Sequence, residues 1–504
     1  MSDEIKDAQT GKGKKETSSY RSIFKATSLF GGVQIYQILI NIVKTKFIAI
    51  LLGPEGLGIQ GLYLSAIQLI QNLTSFGLSQ SAVRDISEAK GTGDIANICK
   101  KVTVLQKLVW ITGLLGTIAV AILSPILSKA TFGNYDYTIP IIILSITLLL
   151  DQLCAGQKVV LQGMRKLKDL AKASAYGSTI GLLVSIPLYF LLGIDGIVPT
   201  LILSSATSLI LSWHFSRRVK VEKITMATRE VVAEGKVMVR MGIAMSVSGI
   251  MSVVAAYVLR SFIRMEGGTE AVGIFTAGYA LMNTYVGLIF TAMSTDFYPR
   301  LAAVNKDNEK CSEVINQQGE IGVLILAPLL ILCVALMPYI IRLLYSSEFL
   351  LAYDYIIFVS VGMMFRFASV LTAHLFLAKG SSKLYIINEL AVSTYGLVFN
   401  LIGFKYWGIM GLGISFVVYY FIYMVQVYMI TSSTFNYRIS KSFSRIYLFQ
   451  LFLLLLTFVA FMSIRGMAVY LIGSVLFIIS LIHSLEGLND RMHVVDYIRS
   501  KRWK

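Results

Sequence analysis

Four cations interrupt stretches that are otherwise apolar: Lys44, Lys46, Arg260 and Arg366. A charge in such a place is costly and is retained where it meets a partner or a water-filled cavity. Gln34, Gln37, Asn41 and Lys44 follow one another at intervals of three, four and three residues, which on a helix makes one polar stripe. Lys46 would point roughly 160° away from Lys44 and cannot join that stripe without a helix break. Ammonium and guanidinium groups in a partly dry cavity hold anions through charge-assisted hydrogen bonds, so anion binding is the chemistry these cations can perform. The competing reading of the two lysines is snorkelling to a membrane surface. Gln37, Asn41, Gln68 and Asn283 would add neutral hydrogen-bonding groups to a cavity wall, or act as glue between helices.

Asp151 and Arg366 form a second set, 215 residues apart and each near the middle of an apolar run. Opposite charges at equivalent depth suggest mutual pairing, or separate sites of opposite sign. A pair that only fixes helix packing and a pair that couples transport are equally compatible with the spacing. Glu320 and Glu389 lie nearer helix ends and are weaker candidates.

Other chemistries find little support. Cys99, Cys154, Cys311 and Cys333 are scattered, with no C-x-x-C spacing and no partnering His, so neither a metal centre nor a disulfide framework is expected. His374 reads as a helix-packing group rather than a proton relay. The GKGKK run lacks phosphate-loop spacing and Gly91-Thr-Gly93 lacks a dinucleotide turn's context, so no nucleotide cofactor is expected. The outer loops are too short for a catalytic domain, and no catalytic residues are assigned.

The elements that must position these residues are apolar helices. With 56% hydrophobic residues, 14% charged residues and a mean hydropathy of +0.71, the chain belongs in a bilayer. Runs near 26–52, 57–80, 102–127, 138–161, 173–192, 197–215, 238–262, 272–296, 320–344, 354–378, 384–404, 409–430, 446–464 and 467–484 make about fourteen transmembrane helices. The expectation is an all-α polytopic membrane protein.

Those spans are duplicated. Gly53, Glu55, Gly58 and Ile59 recur as Gly268, Glu270, Gly273 and Ile274 at an offset of 215, and Gly193 and Gly196 recur as Gly408 and Gly411 at the same offset. Tyr135-Asp136-Tyr137 matches Tyr353-Asp354-Tyr355 at 218, and Gly163-x-x-Lys166-Leu167 matches Gly380-x-x-Lys383-Leu384 at 217. Matches in unbroken order indicate a repeat. Six spans per half make the repeats parallel, and position 45, beside Lys44, becomes the mate of Arg260. A central anion site would then draw one cation from the first helix of each half. The expected layout is a flexible basic tail at 1–25, a first lobe at 26–216, a linker at 217–237, a second lobe at 238–430, two further helices at 431–485 and a basic tail at 486–504.

Most of the 45 Lys and Arg residues sort to one side when the N-terminus is placed in the cytoplasm. That rule puts both termini inside and accounts for the net charge of +17 without a nucleic-acid partner.

TKFIAILLGPEGLGIQGLY at the end of the first span, DFYPRLA from Asp296 to Ala302, and the layout of six, six and two spans resemble the multidrug/oligosaccharidyl-lipid/polysaccharide exporter superfamily. Within it the chain is similar to the Wzx-type polysaccharide or O-antigen translocases. The resemblance implies a V-shaped transporter of the bacterial inner membrane, acting in lipopolysaccharide or related polysaccharide biosynthesis. Its substrate would be an undecaprenyl-diphosphate-linked oligosaccharide, flipped by alternating access. Membrane lipids, a polysaccharide polymerase and chain-length proteins are the implied partners, with no cofactor. Cations at Lys44 and Arg260 suit a diphosphate. A lipid II-type flippase and a cation-coupled multidrug exporter are the alternatives from the same superfamily.

Overall fold

The computed structural model describes residues 2–219, 221, 224–226, 228–464 and 466–492; some side chains, including those of Gln34 and Asp296, fall outside the description. Lys220, Lys223 and the tail cations Arg499, Lys501, Arg502 and Lys504 also lie outside it.

The regular structure among the described residues is all helical, without a strand. In order they form α1 (Ser2–Thr74), α2 (Leu78–Thr92), α3 (Ile95–Phe132), α4 (Thr138–Leu144), α5 (Ile146–Gly163), α6 (Leu167–Leu192) and α7 (Ile197–Ser216). Then follow α8 (Thr228–Tyr279), a π-helical turn at Ala280–Val286, α9 (Gly287–Ala303), α10 (Asn308–Leu344), α11 (Ala352–Ala378), α12 (Ser382–Phe435), α13 (Lys441–Ser463) and α14 (Met467–Met492). Nine segments among the described residues are long and apolar enough to cross a membrane. The chain is thus a multi-pass membrane protein. Several segments hold two expected spans, so the fourteen crossings themselves remain part of the proposal below.

The reason two spans share one helix is local. The outer loops expected between the first and second spans, GPEG, and between the seventh and eighth, RMEGGTEA, are reduced to single residues, Gly53 (φ 64, ψ −167) and Gly268 (φ 78, ψ 178), with helix on both sides. Gly193 (φ 58, ψ −132) and Gly408 (φ 57, ψ −139) make a second matched pair. Positive φ is open to glycine at little steric cost, which is why the duplicated glycines mark the duplicated bends. The match at 163 and 380 requires a correction. Lys166 N donates to Leu161 O, as Ser381 N does to Phe376 O, both at 2.8 Å, and the left-handed positions are Arg165 and Gly380. The equivalence here is again 215, and the sequence alignment on Gly163 slipped by two because Arg165 replaces glycine at the turn.

Other boundaries moved for similar reasons. The span expected at 57–80 stops at Thr74, since Phe76 and Gly77 both have positive φ, and α2 starts afresh. The expected linker at 217–237 is helical from Thr228, and the basic tail at 1–25 continues α1 from Ser2 instead of remaining irregular. Its Lys, Glu, Gln and Ala residues are good helix formers, and extending an existing helix requires no new nucleus.

By packing, the chain divides into two units, one of Met1–Leu52 with Leu62–Val253 and one of Gly53–Gly61 with Val254–Lys504. The division falls inside α8 rather than in the linker. The first unit has a fully buried core at Leu78, Ile86, Leu105 and Leu161, and the second at Leu330, Val334, Phe349 and Phe376. A tie between helix C-terminal ends recurs in both: Lys90 Nζ donates to the Met164 carbonyl, and Lys379 Nζ donates to the Asn305 carbonyl. At the offset of 215 these are the same two positions with donor and acceptor exchanged.

Candidate functional site: a guanidinium among aromatic rings

Arg366 is the only charged residue of α11 between Asp354 and its end. Its Nη1 donates to Asn283 Oδ1 at 2.6 Å, and Asn283 Nδ2 lies 3.4 Å from the Tyr355 hydroxyl. The guanidinium carbon sits 5.4 Å from the Phe290 ring centroid and 5.6 Å from that of Tyr420. Asn283 reaches this point from the π-helical turn, whose wider winding re-aims side chains and recurs at functional sites. No carboxylate lies within ion-pairing distance of Arg366 among the described residues. Its positive charge is therefore held by a neutral amide, the Met363 sulfur 3.8 Å from Nη1, and ring faces, an arrangement that leaves N–H groups for an anion.

The aromatic surroundings extend in two directions. Tyr355 packs on Phe275 at 5.6 Å, Phe275 on Tyr279 at 5.8 Å, and Tyr279 lies 5.9 Å from the Arg260 guanidinium. Arg260 Nη1 donates to Ala256 O on its own helix at 3.4 Å. On the other side Tyr420 neighbours Tyr423 at 6.5 Å, whose hydroxyl donates to Glu389 Oε1 at 3.3 Å. Two cations and one carboxylate of the second unit are thereby linked through tyrosines and a phenylalanine. His374 stands apart, its Nδ1 2.7 Å from Val370 O, as a helix-packing histidine does.

The structure brings together only some of the residues singled out in the sequence. Arg366 and Asn283 touch, and Arg260 joins them through rings. Lys44, Gln37 and Asn41 lie in the first unit on α1, with Lys44 and Gln37 half-buried and Asn41 exposed. Lys46 is also half-buried, and Gln68 is exposed further along the same helix. Asp151 finds a partner in its own unit, accepting from Ser205. Asp151 in the first unit and Arg366 in the second each have a hydrogen-bonding partner within their own unit.

Tyr355, Tyr420, Tyr423 and Phe290 escaped the sequence reading as site residues. Tyr355 carried a signal as part of the repeated Tyr-Asp-Tyr, but the others are indistinguishable from the 26 Tyr and 27 Phe of a membrane protein.

One electrostatic feature lies outside the spans. Glu234, near the start of α8, accepts from Lys101 at 2.8 Å and Lys100 at 2.9 Å at the start of α3. Hydrogen bonds from Lys101 and then Lys100 hold its carboxyl down at about 2, against an ordinary 4.5.

Comparison with known proteins gives the fold a context. The family described as polysaccharide biosynthesis protein matches residues 47–354. Comparison with curated protein sequences gives no match. Among solved structures, one described as an inward-facing multidrug resistance MATE family transporter of the MOP superfamily is similar at a TM-score of 0.67 and 18% identity. It matches over 79% of this chain and 95% of its own. The lipid II flippase MurJ in an inward closed conformation is similar at 0.64 and 15% identity, over 92% of this chain and 99% of its own. A MOP superfamily transporter from Pyrococcus furiosus, described as having a binding pocket of reverse polarity, is similar at 0.54 and 18% identity, over 80% and 93%. At these identities the likeness shows the fold, which is that of membrane transporters.

Proposed function

Because the chain belongs to the polysaccharide biosynthesis protein family and has the fold of the MATE and MurJ transporters, we propose that it flips an undecaprenyl-diphosphate-linked oligosaccharide across a bacterial inner membrane. Transport proceeds by alternating access through a bundle of fourteen crossings with both termini in the cytoplasm. The substrate is an O-antigen or related repeat unit, delivered to a polymerase and its chain-length partners.

The observation that carries this reading is Arg366, a guanidinium among apolar helices whose described contacts, an amide, the Met363 sulfur and two rings, are all uncharged. A diphosphate supplies the missing negative charge, and the tyrosine faces around it suit sugar rings. Lys44 and Arg260, on the first helix of each half, and Lys46 are the further cations of the proposal. Gln37, Asn41, Gln68 and Asn283 are its hydrogen-bonding groups.

A second reading rests on the carboxylates. Asp151 with Ser205 and Glu389 with Tyr423 are embedded acids held by hydroxyls, the groups a cation-coupled exporter of this superfamily would use. A lipid II-type flippase shares the anionic lipid chemistry of the first reading.

Complementation separates these. Bacteria lacking their polysaccharide translocase should regain surface polymer when they express this chain, with lipid-linked repeat units no longer accumulating inside. Stable membrane expression without surface polymer, across strains that differ in repeat unit, counts against the reading. Rescue of lipid II translocation or of drug resistance instead would assign the alternatives.

A further inference from the structure

A cavity of about 700 Å³ in the first unit lies among α3, α5 and α7, apart from every residue of the proposed transport chemistry. Its polar lining includes Gln106 from α3, Gln157 from α5 and Arg217, which directly follows α7. Neither glutamine has a hydrogen-bond partner among the described residues. The Arg217 guanidinium stacks 4.6 Å above the Trp213 ring, which leaves its N–H edges unengaged. Neighbouring Arg218 is different: it is 3.8 Å from Asp169 and 3.2 Å from His214. Two amides and one stacked cation thus converge on one space with their hydrogen bonds unmade, although unmet polar groups are costly when shielded from water.

The mouth of the cavity is apolar and open. Trp110 is 51% exposed, Trp213 49% and Ile210 61%, and all three line it. Leu153, Val160 and Leu209 continue the lining. In a multi-pass protein, exposed side chains of this kind face lipid, and tryptophans mark the level of the headgroups. The occupant must therefore offer an acyl chain on one side and hydrogen-bonding oxygens on the other. Arg217 fixes the sign of its charge. Among the described residues no carboxylate lines the cavity, so an ammonium headgroup meets no partner among them, whereas a phosphate would meet the guanidinium. The two amides, with the Thr103 hydroxyl, match headgroup hydroxyls.

We propose that this cavity is a binding site for an anionic phospholipid with a hydroxylated headgroup, of the phosphatidylglycerol type. Phosphate sits on Arg217, glycerol hydroxyls on Gln106 and Gln157, and the first methylenes lie between Trp110 and Trp213. The site is independent of the substrate that the protein moves.

Tryptophan fluorescence tests it directly, because two of the four tryptophans line the cavity. In full-length protein carrying Trp407→Phe and Trp503→Phe, reconstituted in phosphatidylcholine vesicles, only Trp110 and Trp213 emit. Brominated phosphatidylglycerol should reach half-maximal quenching at a mole fraction severalfold lower than brominated phosphatidylcholine or phosphatidylethanolamine. Arg217→Gln should abolish that difference, and Arg217→Lys should retain part of it; Arg217 is exposed, so both variants should elute unchanged on gel filtration. Gln106→Leu with Gln157→Leu should lower the preference for phosphatidylglycerol to that for phosphatidic acid. Equal quenching by phosphatidylglycerol and phosphatidylcholine, or a preference unchanged by Arg217→Gln, would overturn the site. Phosphatidic acid as potent as phosphatidylglycerol in the unaltered cavity would overturn the hydroxyl assignment. Relief of quenching by soluble glycerol phosphate would overturn the lipid assignment in favour of a free phosphate ester.

Discussion

Gly58 and Gly273 face one another so closely that a Cβ on either would fall 1.9 Å from a backbone carbonyl oxygen, that of Thr269 for Gly58 and that of Pro54 for Gly273. The four residues are repeat mates taken crosswise, since 215 separates 58 from 273 and 54 from 269. The crossing of α1 and α8 after their bends is thus two-fold in its backbone contacts. This backbone contact is also why Gly53–Gly61 packs with the second unit.

Backbone atoms cannot rotate away as side chains do, so an added methyl group must spread the crossing, at a cost of about 1–3 kcal/mol or more. Gly58→Ala and Gly273→Ala should each lower the melting temperature of the purified protein. Gly249→Ala, where nothing lies within 4 Å, should leave it unchanged or raise it slightly. Equal behaviour of all three would contradict the crossing.

Arg366 should tolerate neither neutralisation nor shortening of its hydrogen-bonding fork. We expect Arg366→Gln to reduce transport about tenfold or more, the worth of one charge-assisted hydrogen bond to substrate. Arg366→Lys should recover little, because an ammonium lacks the planar donors that Asn283 and an anion share. The check is surface polymer normalised to protein in the membrane, and full activity of Arg366→Lys would show that geometry at this position is immaterial.

Asp151 and Arg366 should act independently. With Ser205 holding one and Asn283 the other, the stability changes of Asp151→Asn and Arg366→Gln should add to within about 0.5 kcal/mol. Restoration of folded protein by the double substitution would instead reveal direct pairing.

Glu234 gives a pH signature. A carboxyl held below its ordinary value binds its proton less readily when folded, so its contribution is complete above pH 4.5 and fades as pH falls toward about 2. Melting temperature should therefore drop across that window more steeply in the parent than in Glu234→Gln, and the variant should be the less stable of the two at pH 7. Parallel curves would mean that the Lys100 and Lys101 contacts contribute nothing measurable.

Lys44→Ala and Arg260→Ala should each lower surface polymer several-fold while the protein stays in the membrane at parental levels. Normal polymer in both would remove these cations from the transport chemistry.

What the sequence made legible was the backbone plan. Gly53 and Gly268, and Gly193 and Gly408, are read from a glycine match because a positive φ leaves few other residues to choose from. Where Arg165 adopts that conformation instead of glycine, the same reading slipped by two residues. The site was legible only through its charges. Arg366 stands out in an apolar run, and Asn283 is the mate of Gln68 at the offset of 215. Tyr420, Tyr423 and Phe290 did not stand out, because an aromatic ring beside a guanidinium and one beside leucine look alike along a chain. Helix lengths were misjudged for a related reason: hydropathy detects the apolar run and is blind to a bend made by one residue.

The most direct test is to reconstitute the purified protein in liposomes with an undecaprenyl-diphosphate-linked oligosaccharide in the lumenal leaflet and to follow its arrival outside with a membrane-impermeant glycosidase. The proposed flippase exposes the glycan faster than protein-free liposomes do, and Arg366→Gln slows that exposure about tenfold or more. Exposure at the protein-free rate, from folded protein supplied with the repeat unit of its own host, would contradict the proposed function.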